Sequence, residues 1–336
     1  MRHFLSTADW SKSDLQGLLD RAQAFKSGEV SRSLEGKSIA LLFFNPSLRT
    51  RSSFDIGAHQ LGGHAIVLDA KGATWPLEFS DGAIMDGTAE EHVREAARVL
   101  SSYVDLIAIR CFPDFKDWKS EREDPMITAF AEHATVPVIN METIVHPCQE
   151  LALMLALQNH LGDVKGKDFL LTWVPHPKPL NTAVANSALL IASKFGMNVR
   201  MLVPDEIYRL DDRYMSAAQS FVEAEGASLT VTTDVEAAYS GVDAVYAKSW
   251  GAIPFYGQWE GEAEYRAKGA DFMITPEKMA LTNQAVVSHC LPMRRNVKIA
   301  DAVVDSPAFL GIEEAGNRLH VQKAVMETLA SQDGSQ

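Results

Sequence analysis

Unbroken apolar runs of strand length recur along this chain, and each is closed by turn residues before a helical pattern begins. Ser38-Ile39-Ala40-Leu41-Leu42-Phe43-Phe44 ends at Asn45-Pro46, where proline removes a backbone donor and restricts the residue before it. Gly166-Lys167-Asp168-Phe169-Leu170-Leu171 opens like Gly36-Lys37-Ser38-Ile39-Ala40-Leu41-Leu42, and it too runs into a proline-rich turn, Pro175-His176-Pro177-Lys178-Pro179-Leu180-Asn181-Thr182. Further strands are predicted at 65–68, 106–109, 136–139, 199–203, 244–247 and 286–289. Runs without apolar–polar alternation are buried on both faces, which calls for parallel sheets with helices on either side. The reading is therefore α/β, with two doubly wound parallel-sheet domains joined by interdomain helices.

The boundaries predicted are 1–148 for the first domain and 149–317 for the second, with a last helix in 318–336 packing back on the first. That helix is expected to run from about Arg318 toward Leu329, and the polar ending after it to fray. A helix opened by His146-Pro147 bridges the halves, with Leu151, Leu155 and Leu157 facing a core. Residues 114–124 form a charged connection containing Trp118, and Trp75-Pro76 sits in another long loop.

Polar residues collect where these strands end, which is where a doubly wound sheet holds its ligands. In Ser47-Leu48-Arg49-Thr50-Arg51 a helix should start at about Ser47. Unpaired backbone N–H groups, the positive end of the helix dipole and the guanidinium groups would together hold a phosphate. The alternative is a serine N-cap followed by two solvated arginines. Arg110 ends the 106–109 run, His146-Pro147-Cys148-Gln149 supplies an imidazole and a carboxamide within one turn, and His289-Cys290-Leu291-Pro292 ends the 286–289 run. Proline at 292 stops the strand and leaves nearby carbonyls to accept hydrogen bonds.

Bulk properties narrow the partners. The 336 residues suffice for two domains, and 46% hydrophobic content suits a globular protein. A formal net charge of −13 argues against nucleic acid or an anionic membrane as partner, so an anionic substrate needs a local basic pocket. Met1-Arg2-His3-Phe4-Leu5-Ser6 lacks the apolar core of a signal peptide and no run reaches membrane-spanning length, so a cytoplasmic protein is expected. Cys111, Cys148 and Cys290 stand far apart, suggesting neither a disulfide framework nor a structural zinc site.

The Ser-x-Arg-Thr-Arg, His-Pro-x-Gln and His-Cys-Leu-Pro segments, in this order and at these spacings, resemble the transcarbamylase family, which moves the carbamoyl group of carbamoyl phosphate to an amine. The likeness runs from Phe4 to about Val325. It implies that Ser47, Leu48, Arg49 and Thr50 hold the phosphate and that Arg110 contacts phosphate and carbonyl oxygen. His146 would polarise the carbonyl. Gln149 and the backbone at Cys290 and Leu291 would bind the carbamoyl NH2, with Pro147, Cys148 and Arg318 close to the same ligand. The resemblance implies no metal and no organic cofactor. Residues 1–148 become the carbamoyl-phosphate domain, and 149–317 the domain for the amine.

Family members that use free ornithine carry an Asp…Ser-Met-Gly segment late in the chain. Here Lys248-Ser249-Trp250-Gly251 stands in its place. A lysine attracts a carboxylate and repels an α-ammonium, so an acylated α-nitrogen fits better. The segment resembles the branch that accepts N-acetylornithine, with N-succinylornithine or ornithine as alternatives. That branch implies Trp75 in a loop reaching the carbamoyl phosphate site, Glu142 near the acylornithine and Leu291 touching both ligands. It also implies a homotrimer with sites at subunit borders, Trp75 coming from the neighbour. Glu90 stands where the succinyl-accepting branch has proline, and a carboxylate there should repel a succinyl group. Lys298, in Arg294-Arg295-Asn296-Val297-Lys298, matches a lysine that the branch carries carboxylated; Arg294 and Arg295 would lower its pKa. A nicotinamide dehydrogenase is disfavoured because no GxGxxG follows either principal strand. A catalytically silent transcarbamylase-like binding protein should have lost Arg49, Arg110, His146 or Gln149, and all four are present.

Overall fold

The computed structural model describes residues 2–70, 72 and 75–331. By its internal contacts the chain divides into two compact units. Unit 1 comprises Met1–Asp114, Lys119–Cys148 and Arg318–Gln336; unit 2 comprises Phe115–Trp118 and Gln149–Asn317. Phe115–Trp118 thus departs from the expected first domain, for an aromatic reason. Phe115 packs on Tyr256 and Trp259, and Trp118 on Tyr256, with ring centroids 5.2–6.2 Å apart.

Unit 1 is built on a parallel sheet of β1 (Ser38–Phe43), β2 (His64–Asp69), β5 (Leu106–Arg110) and β6 (Val138–Glu142), in the order β2-β1-β5-β6. β3 (Leu77–Glu78) and β4 (Glu91–His92) form a separate two-stranded ladder in the 75–92 loop. β5 is buried at every position and β1 at all but its first, as a strand covered on both faces requires. Val93, Ala97, Ile127 and Phe130, from the Val93–Ser101 and Pro125–His133 helices, close one core over Ala40, Leu42, Ile107 and Ile109. The fourth strand begins two residues later than the 136–139 pattern suggests, just after Pro137, which has no backbone N–H to give a ladder, and Phe4 bonds Val138 O and Asn140 N as an added edge.

Unit 2 holds β7 (Asp168–Trp173), β8 (Asn198–Leu202), β9 (Leu229–Thr232), β10 (Ala244–Lys248) and β11 (Val286–Ser288), all parallel, in the order β11-β10-β7-β8-β9. The Ala183–Lys194 helix after the proline-rich turn is buried at every residue, the polar Asn186, Ser187, Ser193 and Lys194 included.

In each unit the chain lays its second strand on one side of the first and later crosses to the other. Strand order therefore reverses between β1 and β5 and again between β7 and β10. Parallel strands diverge into opposite crossovers at such points, leaving a crevice at their carboxyl ends. Phe44 N–H bonds Arg110 O in the first case and Val174 N–H bonds Lys248 O in the second, at 2.9 and 3.1 Å.

The Pro147–Leu161 helix starts where predicted, and Leu151, Leu155 and Leu157 are buried. The last helix spans Gly311–Ala330, beginning seven residues before Arg318. Its first residues belong to unit 2 and the rest to unit 1. Gly57, in the Leu48–Gln60 helix, lets that last helix come close: a Cβ there would meet Met326 Cε at 3.1 Å. The predicted fraying of 332–336 lies outside the described residues. The 114–124 connection contains a short helix, Trp118–Glu121.

Candidate active site

Unit 1 concentrates cations at its strand-order reversal. Ser47 caps the Leu48–Gln60 helix, its Oγ accepting from Thr50 N–H at 3.1 Å. The capping role expected as an alternative is thus present, and the hydroxyl keeps its own proton to donate. Thr50 is fully buried, and its Oγ1 accepts from Arg318 Nη2 at 2.6 Å. Leu48 is 80% exposed, so what it can offer an anion is its backbone N–H. Arg51 lines a surface cavity with Ser47, Leu48, Ser52 and Asp69.

Arg110 ends β5 and pairs with Glu142 at the end of β6, while Glu142 Oε2 lies 3.5 Å from His146 Nε2. The ladder shifts register between Ile109 and Arg110, which makes Glu142 rather than Met141 the partner of Arg110. Arg110, His146 and Arg318 are all more than nine-tenths buried. Burial drives the Arg318 pKa below the usual arginine value; Glu142 and Cys148 oppose this, and the positive charges of Arg110 and Arg49 add to it. Buried Nε atoms of Arg49, Arg110 and Arg318 have no hydrogen-bond partner among the described residues. Arg110 pairs with Glu142, Arg318 feels the same carboxylate, and Arg49 adds positive charge near Arg318, an arrangement whose excess positive charge calls for an anion. Glu142, expected beside the acceptor, is also the carboxylate that pairs with Arg110.

Trp75 and Glu90 belong to the 75–92 loop, and their partners are in it. Trp75 is 56% exposed and donates Nε1–H to Glu91 Oε2 at 2.7 Å. Glu90 is exposed, its backbone N–H bonding Pro76 O at 3.1 Å.

Unit 2 gathers a second basic cluster. Each member of the 248–251 segment has a distinct local cause. Lys248 is buried at the end of β10; Ser249 Oγ donates to Val174 O at 2.6 Å; Trp250 Nε1 donates to Tyr208 O at 2.8 Å. At Gly251 a Cβ would come within 2.7 Å of Trp259. Lys298 is buried, with its pKa pushed down to about 7 by burial first and by the Lys248 ammonium second; Arg294 adds a little and Cys290 opposes. Arg295, expected to act on Lys298, does not: it pairs with Asp301 and Asp305. Burial also lowers the His176 pKa, with Lys298, Arg294 and Lys248 adding to the effect.

His289 Nδ1 accepts the Leu291 N–H at 2.9 Å, and His289 Nε2 lies 3.2 Å from Lys298 Nζ. A neutral imidazole accepting at Nδ1 carries its proton on Nε2, which suits an uncharged lysine amine across from it. Leu291 itself sits at φ +52° and begins a cis bond to Pro292. Gln149 is buried and donates Nε2–H to Glu314. Sequence patterns do not single out His176, Arg294 or Glu314 as site residues. The placing of a histidine in the proline-rich turn after β7 is the only hint for the first. Among the described residues no group of three or more His, Cys, Asp and Glu is placed to hold a metal ion.

Two family models divide the chain between them. One described as aspartate/ornithine carbamoyltransferase, carbamoyl-P binding domain, matches residues 2–159, and its Asp/Orn binding domain counterpart matches 179–329. The chain belongs to the aspartate/ornithine carbamoyltransferase family. Within that family it is 58% identical to N-acetylornithine carbamoyltransferase of Xanthomonas axonopodis pv. citri (strain 306), over 99% of this chain and 98% of the relative. A crystal structure of acetylornithine transcarbamylase complexed with acetylcitrulline superposes with a TM-score of 0.97 at 57% identity, covering 98% of this chain and 99% of that one. A mutant of N-acetyl-L-ornithine transcarbamylase complexed with carbamyl phosphate and N-succinyl-L-norvaline gives 0.96 at 57% identity, over 98% and 100%.

Proposed function

We propose that this chain transfers the carbamoyl group of carbamoyl phosphate to the side-chain amine of N-acetyl-L-ornithine, yielding N-acetyl-L-citrulline and phosphate in arginine biosynthesis. Lys248 carries the choice of acceptor. A buried ammonium at the end of β10 favours a carboxylate and disfavours a second cation, so an amino acid whose α-nitrogen is acylated fits where free ornithine would be repelled. Lys298 and His176 lie in the same electrostatic neighbourhood.

In the reaction the neutral δ-amine attacks the carbamoyl carbon, negative charge gathers on the carbonyl oxygen, the bond from carbon to the phosphate oxygen breaks and the amine loses a proton. Ser47, Arg49, Thr50 and the N–H groups from Leu48 onward hold the phosphate, with Arg318 fixing Thr50. Arg49, Arg110 and His146 stabilise the developing oxyanion without reorganising. Removing one such donor costs about 2.7–4 kcal/mol of transition-state stabilisation, about 10²–10³ in rate. The family resemblance further assigns Pro147, Cys148, Gln149, Cys290 and Leu291 to the carbamoyl group, and Leu291 and Glu142 to acetylornithine.

The same reading includes a cytoplasmic homotrimer in which Trp75 completes a neighbour's site. Exposure of Trp75 and, in the same loop, of Ile84 and Met85 supports this, because apolar side chains on a loop gain from being covered. Lys298 is proposed as a carboxylated lysine, supported by a pKa of about 7 that supplies the neutral amine such chemistry needs. Mass measured at neutral pH under bicarbonate, about 44 Da above the unmodified chain, reads that out.

The deciding experiment is carbamoyl transfer measured side by side with N-acetylornithine, N-succinylornithine, ornithine and aspartate. N-acetylornithine is expected to give the highest kcat/KM; a preference for free ornithine overturns the argument from Lys248.

A further inference from the structure

Glu314, in the first turn of the Gly311–Ala330 helix, is fully buried. Its carboxylate accepts from Gln149 Nε2 and from the Tyr246 hydroxyl, the latter at 2.9 Å, both on Oε1, while the Ser288 hydroxyl donates to Oε2. The donors come from the Pro147–Leu161 helix, β10 and β11, and all three residues lie in unit 2 with Glu314. For packing alone an apolar side chain of similar volume would serve as well or better, since a buried carboxylate forfeits its hydration.

We propose that Glu314 is a positioning residue that dictates which end of the Gln149 carboxamide reads the donor substrate; this rests on the role given above to Gln149. A carboxamide is nearly symmetric in shape but has donors at one end and an acceptor at the other. Accepting also from the Tyr246 and Ser288 hydroxyls, the Glu314 carboxylate holds Gln149 by Nε2. The acceptor Oε1 is then the end offered to a ligand. A carbamoyl group presents N–H donors where an acetyl group presents a methyl. Gln149 oriented by Glu314 therefore selects carbamoyl, and without Glu314 the amide populates both orientations, one of which sets N–H against N–H.

The test compares two hydrolytically stable phosphonates by titration calorimetry, phosphonoacetamide and 2-oxopropylphosphonate, which differ only in NH2 against CH3, with orthophosphate as a third ligand. The wild type is expected to prefer phosphonoacetamide. Glu314→Leu should reduce that preference about two- to tenfold, the worth of one neutral hydrogen bond, with orthophosphate affinity unchanged. Glu314→Asp keeps the charge but withdraws the carboxylate by one methylene, and should act likewise if the leucine variant does not fold. A folded variant that keeps the full preference overturns the proposal. So does equal weakening for all three ligands, the mark of a merely structural role. A wild type that binds orthophosphate yet does not distinguish the phosphonates removes the carbamoyl reading itself, and this inference with it.

Discussion

Arg110 and Glu142 face each other because β6 carries one residue more than β5 at their carboxyl ends. The register passes from Ile109 opposite Asn140 to Arg110 opposite Glu142, skipping Met141. One-residue shifts in a ladder decide which face a side chain joins. Without this one, Arg110 would sit among the other guanidinium groups with no carboxylate opposite.

Glu142→Gln should therefore separate phosphate binding from transfer. Losing one partner of a buried ion pair costs about 3–5 kcal/mol of stability, and an added anion should restore much of it. The expected outcome is a lower melting temperature without phosphate, a larger phosphate-induced rise than in wild type, and a higher KM for N-acetylornithine. A thermal-shift titration with orthophosphate checks it; a smaller rise than in wild type would show that Glu142 does not balance the cluster.

Thr50→Val should leave Arg318 buried without its 2.6 Å acceptor. A charged donor deprived of its partner costs about 1–3 kcal/mol or more. Both stability in urea and orthophosphate affinity should fall, whereas Thr50→Ser should retain both. If valine weakens neither, the contact between Thr50 and Arg318 has no energetic weight.

Lys298 makes stability depend on pH. Its pKa falls from 10.5 in the unfolded chain to about 7 in the folded one, so between these values the unfolded state binds a proton that the native state does not. Stability then rises with pH from about 7 to about 10.5, at up to about 1.4 kcal/mol per pH unit from this group, and below about 7 its contribution is flat. Denaturant titrations in CO2-free buffer from pH 7 to 9.5 should show a shallower rise for Lys298→Met than for wild type. Parallel slopes would mean that the amine is charged in the native protein.

Glu90 offers two separable properties, a carboxylate and a backbone N–H bonded to Pro76 O. Glu90→Val removes the first, and Glu90→Pro removes both. If charge repulsion excludes succinyl substrates, both variants should shift the acetyl-over-succinyl ratio in kcat/KM about fivefold or more toward succinyl, about 1 kcal/mol of charge interaction. A shift confined to the proline variant would assign selectivity to loop conformation instead.

Much of the framework is legible in the order of residues. The apolar runs at 38–44 and 168–171, their proline-bearing turns and the helices beyond them depend on neighbours in sequence, and so does the cap at Ser47. The ordered set of 47–51, 146–149 and 289–292 is enough to suggest the family. What stays hidden depends on distance through space. Sequence does not reveal that Glu142 pairs with Arg110, because it does not record a ladder slip. Arg295 looks like a cause of the low Lys298 pKa because it is three residues away, yet Asp301 and Asp305 claim it, while Lys248, fifty positions earlier, acts in its place. The last helix reads as starting at Arg318 because its first turn carries no strong periodic signal, and Glu314 lies in that turn.

Sequence alone thus determined which residues end strands and begin helices, since backbone preferences and hydrophobic burial act within a few positions. Only the tertiary structure decided which strand ends meet and which charges share a buried neighbourhood. Electrostatic pairing and hydrogen-bond partnership follow distance and burial, and the chain brings Arg318 to Thr50, Lys248 to Lys298 and Glu314 to Gln149 only when its sheets and helices have packed.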